Sequence, residues 1–118
     1  MFNLIEILSE HFQQYFQIIV NDQVYRCGKL INISHKEIYI KLLYIDQKHN
    51  KQRNYEILNP FNYNFDKDKI ILDYTLSTFC NNNDDLMLNL KKINTNFNHH
   101  IFYNKKITIN FSNSAFTN

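Results

Sequence analysis

The chain has 118 residues, 44% of them hydrophobic and 20% charged, totals that fit one globular domain and argue against wholesale disorder. A net charge of +2 is too mild to argue for nucleic acid by itself, because a phosphate-binding surface needs a local excess of Lys and Arg. With one Gly, glycine-rich phosphate loops are excluded, and no run approaches the roughly 18 apolar residues of a membrane span.

The remaining totals bear on origin. One Gly, one Pro and no Trp stand against roughly 7% Gly and 5% Pro in average usage. Asn, Ile, Lys, Phe and Tyr, residues with A/T-rich codons, take their place. This points to an A/T-rich genome: an organelle, a protist, a parasite, a low-GC bacterium or a virus. Cys27 and Cys80 are the only cysteines, too few for a disulfide framework and read as reduced structural thiols. The opening MFNLIEILSEHF has no basic leader and is not Arg-rich, unlike a secretory signal or transit peptide.

In chain order, Phe2 to Phe16 reads as a helix, with Leu4, Ile5, Leu8 and Phe12 on one side. Gln17–Val20 and Val24–Cys27 read as strands joined by an Asn21-Asp22 turn. Gly28 marks either a positive φ or a close backbone approach. Ser34 to Gln47 fits two templates. Ser34 and Glu37 form a capping box, with Ile38, Leu42 and Ile45 at helical spacing, yet Ile38, Ile40, Leu42 and Tyr44 also alternate. The cap and the unbroken span favour helix.

Gln47 to Asn54 is polar and basic, read first as a solvated loop or helix end and second as a nucleic-acid patch. Tyr55, Ile57 and Leu58 begin a short apolar element that Pro60 stops. Asp66, Lys67 and Asp68 turn the chain into the clearest pattern, Ile70–Leu90. There two alternating runs flank Asn81–Asp85 and predict an antiparallel hairpin. A last strand is predicted at Ile107–Phe111. The expected fold is α+β, a small mixed sheet with the Ile70–Leu90 hairpin packed by two helices. Residues 1–111 form one domain, and 112–118 a polar tail.

No catalytic, cofactor-binding or metal-ligating residue emerges. His11, His35, His49, His99 and His100 lack a metal-ligand spacing. Cys27 and Cys80 match no nucleophile signature. Asp66/Asp68 and Asp84/Asp85 sit in turns, where Asp is favoured for conformation. Aromatic and basic residues, which together can stack and neutralise single strands, meet only at Tyr25-Arg26 and Tyr103–Lys106.

IEILSEHFQQYF, IYIKLLYIDQKHNKQRNYEIL and DKIILDYTLSTFCNNNDDLMLNLK resemble the first helix, second helix and strand pair of the NuoC-like subunit of respiratory complex I (NADH dehydrogenase subunit 9). Tyr74, Leu76, Ser77, Leu86, Leu88 and Lys91 are the matching positions. The resemblance covers about residues 4 to 92. The family's later Trp-Tyr-Glu-Arg-Glu and Asp-Leu-Arg-Arg segments have no counterpart. It implies a non-catalytic structural subunit of the NADH dehydrogenase hydrophilic arm, on the matrix side of the mitochondrion, with other protein subunits as partners and no cofactor of its own. The alternatives are a small organellar ribosomal or RNA-binding protein, with RNA less favoured as a partner, and a viral or parasite protein-interaction domain.

Overall fold

The computed structural model describes residues 3–36, 39–58, 63–80 and 99–116. Among the described residues, one short helix, α1 (Leu4–Ser9), precedes seven strands: β1 (Tyr15–Val20), β2 (Gln23–Lys36), β3 (Tyr39–Asp46), β4 (Gln52–Leu58), β5 (Tyr63–Asp66), β6 (Lys69–Cys80) and β7 (His99–Ser112). The strands run in the order β4-β3-β2-β1-β7-β6-β5, and β4 also pairs with β6. That pairing closes six strands into an antiparallel ring, with β5 added to β6 alone. The expected α+β fold with two packing helices is therefore replaced by a small closed β-barrel with one helical turn and a half.

Each misread helix has a physical cause. β3 is paired on both edges, to β2 through Leu42↔Ile33 and to β4 through Leu42↔Tyr55. Ile40, Leu42 and Tyr44 form its inward row and are buried. The local cap pattern at Ser34 yields to this pairing: Ser34 sits in β2 opposite Lys41, and a run rich in Ile and Tyr suits a doubly paired strand. The first helix starts where Asn3 accepts from the Glu6 backbone N–H, but it stops at Ser9. His11 to Gln14 then clips onto β2, with Gln13 N–H donating to Leu30 C=O and Leu30 N–H to Gln14 C=O, both at 2.9 Å. Gln13 adopts a left-handed φ of 67° to do so. Leu4, Ile7 and Leu8 are buried, whereas Phe12 lies half-exposed.

Other expectations agree. Asn21 and Asp22 both have positive φ (49° and 66°), the two-residue type I′ geometry that matches strand twist. Lys67, with φ 53°, turns β5 into β6. Ile70–Cys80 of the predicted hairpin is strand; its 81–90 half, Asp84/Asp85 and Pro60 lie outside the described residues. The last strand runs back to His99. After β7, Gln14 Nε2 donates to Asn113 Oδ1 at 2.9 Å and Gln47 Nε2 donates to the Phe116 carbonyl, so residues 113–116 are tied to the barrel.

The interior is a connected column of rings. His11 stacks on Phe111 at 4.0 Å, and Phe111 leads to Phe16, Tyr44, Phe79 and Tyr55 at centroid separations of 6.4, 4.9, 6.3 and 4.7 Å. Phe79 also stacks on Tyr25 at 4.8 Å, and Phe102 meets Tyr25 edge-on at 4.9 Å. Every strand of the ring contributes at least one ring to this column. Ile18, Leu30, Ile57, Ile70, Leu72, Ile107 and Ile109 fill the remaining core beside Leu4, Ile7 and Leu8.

Gly28 has no positive φ; space is what requires it. A Cβ there would lie 2.5 Å from the Ile45 carbonyl oxygen and 2.5 Å from Tyr44 Cδ2. Gly28→Ala should lower stability in urea unfolding by about 2 kcal/mol through overpacking; an unchanged midpoint would contradict the close approach. Tyr44 Oη is buried with no hydrogen-bond partner among the described residues. Tyr44→Phe should therefore raise stability by about 1 kcal/mol, and a clear loss would mean that the hydroxyl is satisfied.

Candidate functional site

β2 has different partners along its length. Residues 23–29 pair with β1, and pairing to β3 begins only at Gly28↔Asp46. Where β3 ends, a cleft of about 390 Å³ opens, lined by Val24, Tyr25, Arg26, Cys27, Asp46 and Lys48. A bulge shapes its wall: Ile18 pairs with Arg26 but Ile19 with Val24, leaving Tyr25 as the extra residue. Bulges re-aim side chains, and here Tyr25 and Arg26 come together. The Arg26 guanidinium carbon lies 5.0 Å from the Tyr25 ring centre and 5.8 Å from that of Phe79.

The opposite wall is built on Asp46, the last inward residue of β3, whose side chain is 2% exposed. Its Oδ1 accepts from the backbone N–H of Lys48 (2.9 Å) and His49 (3.4 Å). Its Oδ2 accepts from His49 Nδ1 (3.0 Å) and Arg53 Nε (2.5 Å). The main chain closes the same turn: Asp46 N–H donates to Lys51 C=O and Asn50 N–H to Asp46 C=O, each at 2.7 Å. Gln47 N–H donates to Cys27 C=O at 2.9 Å, joining this hairpin to β2. Asn50 supplies the left-handed residue, φ 53°, for which Asn is well suited.

The electrostatics divide the charges into satisfied and unsatisfied. Burial pushes the Asp46 carboxyl up. Hydrogen bonds from His49, the Lys48 amide, Arg53 and the His49 amide outweigh it and hold the pKa below the ordinary value. Arg26 differs. Its side-chain Nε is buried with no hydrogen-bond partner among the described residues. Its charge rests on aromatic faces, which attract a cation without using its N–H donors. Burial raises the Cys27 thiol, a Gln17 hydrogen bond lowers it and Asp46 raises it, for a net upward shift. Burial also raises Tyr25 and Tyr44.

The other sequence candidates disperse. His11 is buried, its Nδ1 2.7 Å from Gln14 Oε1; His35 is exposed on β2; His99 and His100 belong to the β7 backbone. Asp66 and Asp68 flank an exposed turn. Lys106 lines a second cleft of about 390 Å³ with Asn21, Asp22, Lys69, Ile71 and Thr108. The 47–54 run, read first as solvated, forms the turn and the start of β4, with Arg53 drawn onto Asp46. The Asp46–Arg53 clasp is the feature that sequence reading missed. Its signal, Asp46 and Asn50 bracketing a short polar run, is legible only once 39–46 is taken as a strand.

Among the described residues, no group of three or more His, Cys, Asp or Glu side chains could hold a metal ion, and no helix is long and apolar enough to cross a membrane. No family model, no curated protein and no solved structure matches the chain.

Because the Asp46 pKa is depressed in the folded state, its contribution to stability is fully present above the unfolded carboxyl value near pH ~4 and is lost as pH falls through the folded value. Asp46→Asn should cost about 2 kcal/mol at pH 7, and its gap from the unaltered protein should narrow as urea unfolding is repeated below pH ~4. A gap constant with pH would remove the ionised clasp from the account.

Proposed function

We propose that the chain is a non-catalytic binding module for single-stranded nucleic acid, which it engages through the cleft between β2 and the β3–β4 hairpin. The observation that carries this reading is Arg26, a half-buried cation with no anionic partner, lining an open cleft beside Lys48. Lys48, His49, Lys51 and Arg53 crowd one hairpin, and Asp46, the one acid among them, is answered by Arg53 and His49. This is the local excess of positive charge that phosphate binding demands and that a net charge of +2 conceals.

The chemistry argues against catalysis at this place. A general acid–base needs a pKa near the working pH. Hydrogen bonds hold Asp46 below its ordinary carboxyl value and burial pushes the Cys27 thiol above its own, each away from neutral pH. The one helix among the described residues, α1, has six residues and is too short to read a duplex groove. A flexible single strand laid across the hairpin fits this surface best.

Fluorescence anisotropy with a 12-nucleotide single-stranded RNA tests the reading. Binding should weaken roughly 50-fold between 50 and 200 mM salt if about four phosphates are neutralised. Arg26→Ala together with Lys48→Ala should cost at least about tenfold. Salt-independent binding, or preference for an acidic peptide of equal charge, would overturn it.

The resemblance to NuoC-like subunits supports a second reading, a structural part of the complex I hydrophilic arm. What stays in its favour is the strand character of 70–77 within β6. Of the two segments likened to helices, one is helical only over Leu4–Ser9 and the other is a hairpin of β3 and β4. Co-purification of NADH dehydrogenase subunits from the native source would restore it, and a complete pull-down lacking them would end it.

A further inference from the structure

Resting on the nucleic-acid reading, we infer that the Arg26 cleft takes a terminal phosphomonoester, the phosphorylated end of a strand, in preference to an internal phosphodiester. Three observations lead there. The first is access. Arg26 lies over Tyr25 and Phe79, rings that belong to the barrel's interior column. Its Nε is buried, and it lines the cleft together with Val24, Tyr25, Cys27, Asp46 and Lys48. A phosphodiester must bring a sugar on each side into such a cleft, whereas a phosphomonoester brings one only.

The second observation is charge. Arg26 and Lys48 are the two cations that line the cleft, and neither makes an ion pair among the described residues. The third wall charge, Asp46, is satisfied by Arg53, His49 and two backbone N–H groups. Two uncompensated positive charges match one phosphomonoester, which carries about −1.5 to −2 at pH 7, better than a diester with a single negative charge. The third is geometry. Arginine presents a planar fork suited to paired phosphate oxygens. A phosphomonoester offers three free oxygens, enough to meet both that fork and the Lys48 ammonium.

The test is isothermal titration of the full chain with one eight-nucleotide RNA carrying a 5′-phosphate, a 3′-phosphate or hydroxyls at both ends. Inorganic phosphate alone serves as a fourth titrant. At least one phosphorylated strand should bind tenfold or more tightly than the hydroxyl-ended strand. Inorganic phosphate at millimolar concentration should erase that advantage without abolishing residual binding. Arg26→Lys, which keeps the charge but loses the fork, and Lys48→Ala should each reduce the advantage by threefold or more. Near-UV circular dichroism confirms that both variants keep the barrel.

Equal binding of all three strands overturns end recognition and leaves the nucleic-acid reading standing. Absence of binding to any strand overturns both. Inorganic phosphate binding with the same affinity as a phosphorylated strand overturns the strand-end assignment in favour of a free-phosphate site.

Discussion

The pairing of β4 with β6 is the contact on which the rest of the structure depends. Without it, β4 and the Leu76–Cys80 half of β6 would be open edges, each a template for association. Closure brings Tyr55 against Phe79 in register, and those rings stack inside the barrel at 4.7 Å. Phe79 then serves three purposes. It joins the two ends of the ring, continues the aromatic column to Tyr44, and provides part of the surface over which Arg26 lies. The candidate site is thus supported by the residue that closes the fold.

The candidate site arises from an incompletely shared strand. β2 is long enough to serve β1 with one half and β3 with the other, and the cleft opens where the two pairings part. Two local devices tune that gap. The Tyr25 bulge turns an arginine over a ring instead of into solvent, and the Asp46 clasp fixes a hairpin of cations opposite it. Asp46 also separates structural from available charge. It engages His49 and Arg53, and Arg26 and Lys48 stand outside that clasp.

How much of this was legible follows from how local each cause is. The Asn21-Asp22 and Asp66–Asp68 turns could be read because Asn and Asp carry their conformational preference with them. The 70–80 and 107–111 strands could be read because alternation alone specifies a half-buried strand. Residues 34–47 could not. Their helical and strand patterns coexist, and the choice is made by β2 and β4 pairing on either edge, which lies outside any local window. The same holds for Phe2–Phe16, whose helix is ended by a clip to Leu30 on another strand. Tyr25-Arg26 and the 47–54 run each stood out in the sequence. Their meeting depends on register and on a one-residue bulge, and neither carries a local signal.

The place of β1 in the ring has a consequence for how the molecule comes into being. β1 precedes the other described strands in the sequence, yet its second partner is β7, with Tyr15 opposite Ser112. During synthesis β1 can form its hairpin with β2 at once, but its other edge stays unpaired until the 99–112 segment has emerged. Closure therefore waits on the pairing most distant in sequence among the described strands. Topologies dominated by such pairings fold in milliseconds to seconds instead of microseconds. Throughout that interval the β7-facing edge of β1 lacks its partner, and unpaired strand edges recruit other nascent chains. The rate at which this barrel reaches safety is set by the arrival of β7, whatever the stability of the finished ring.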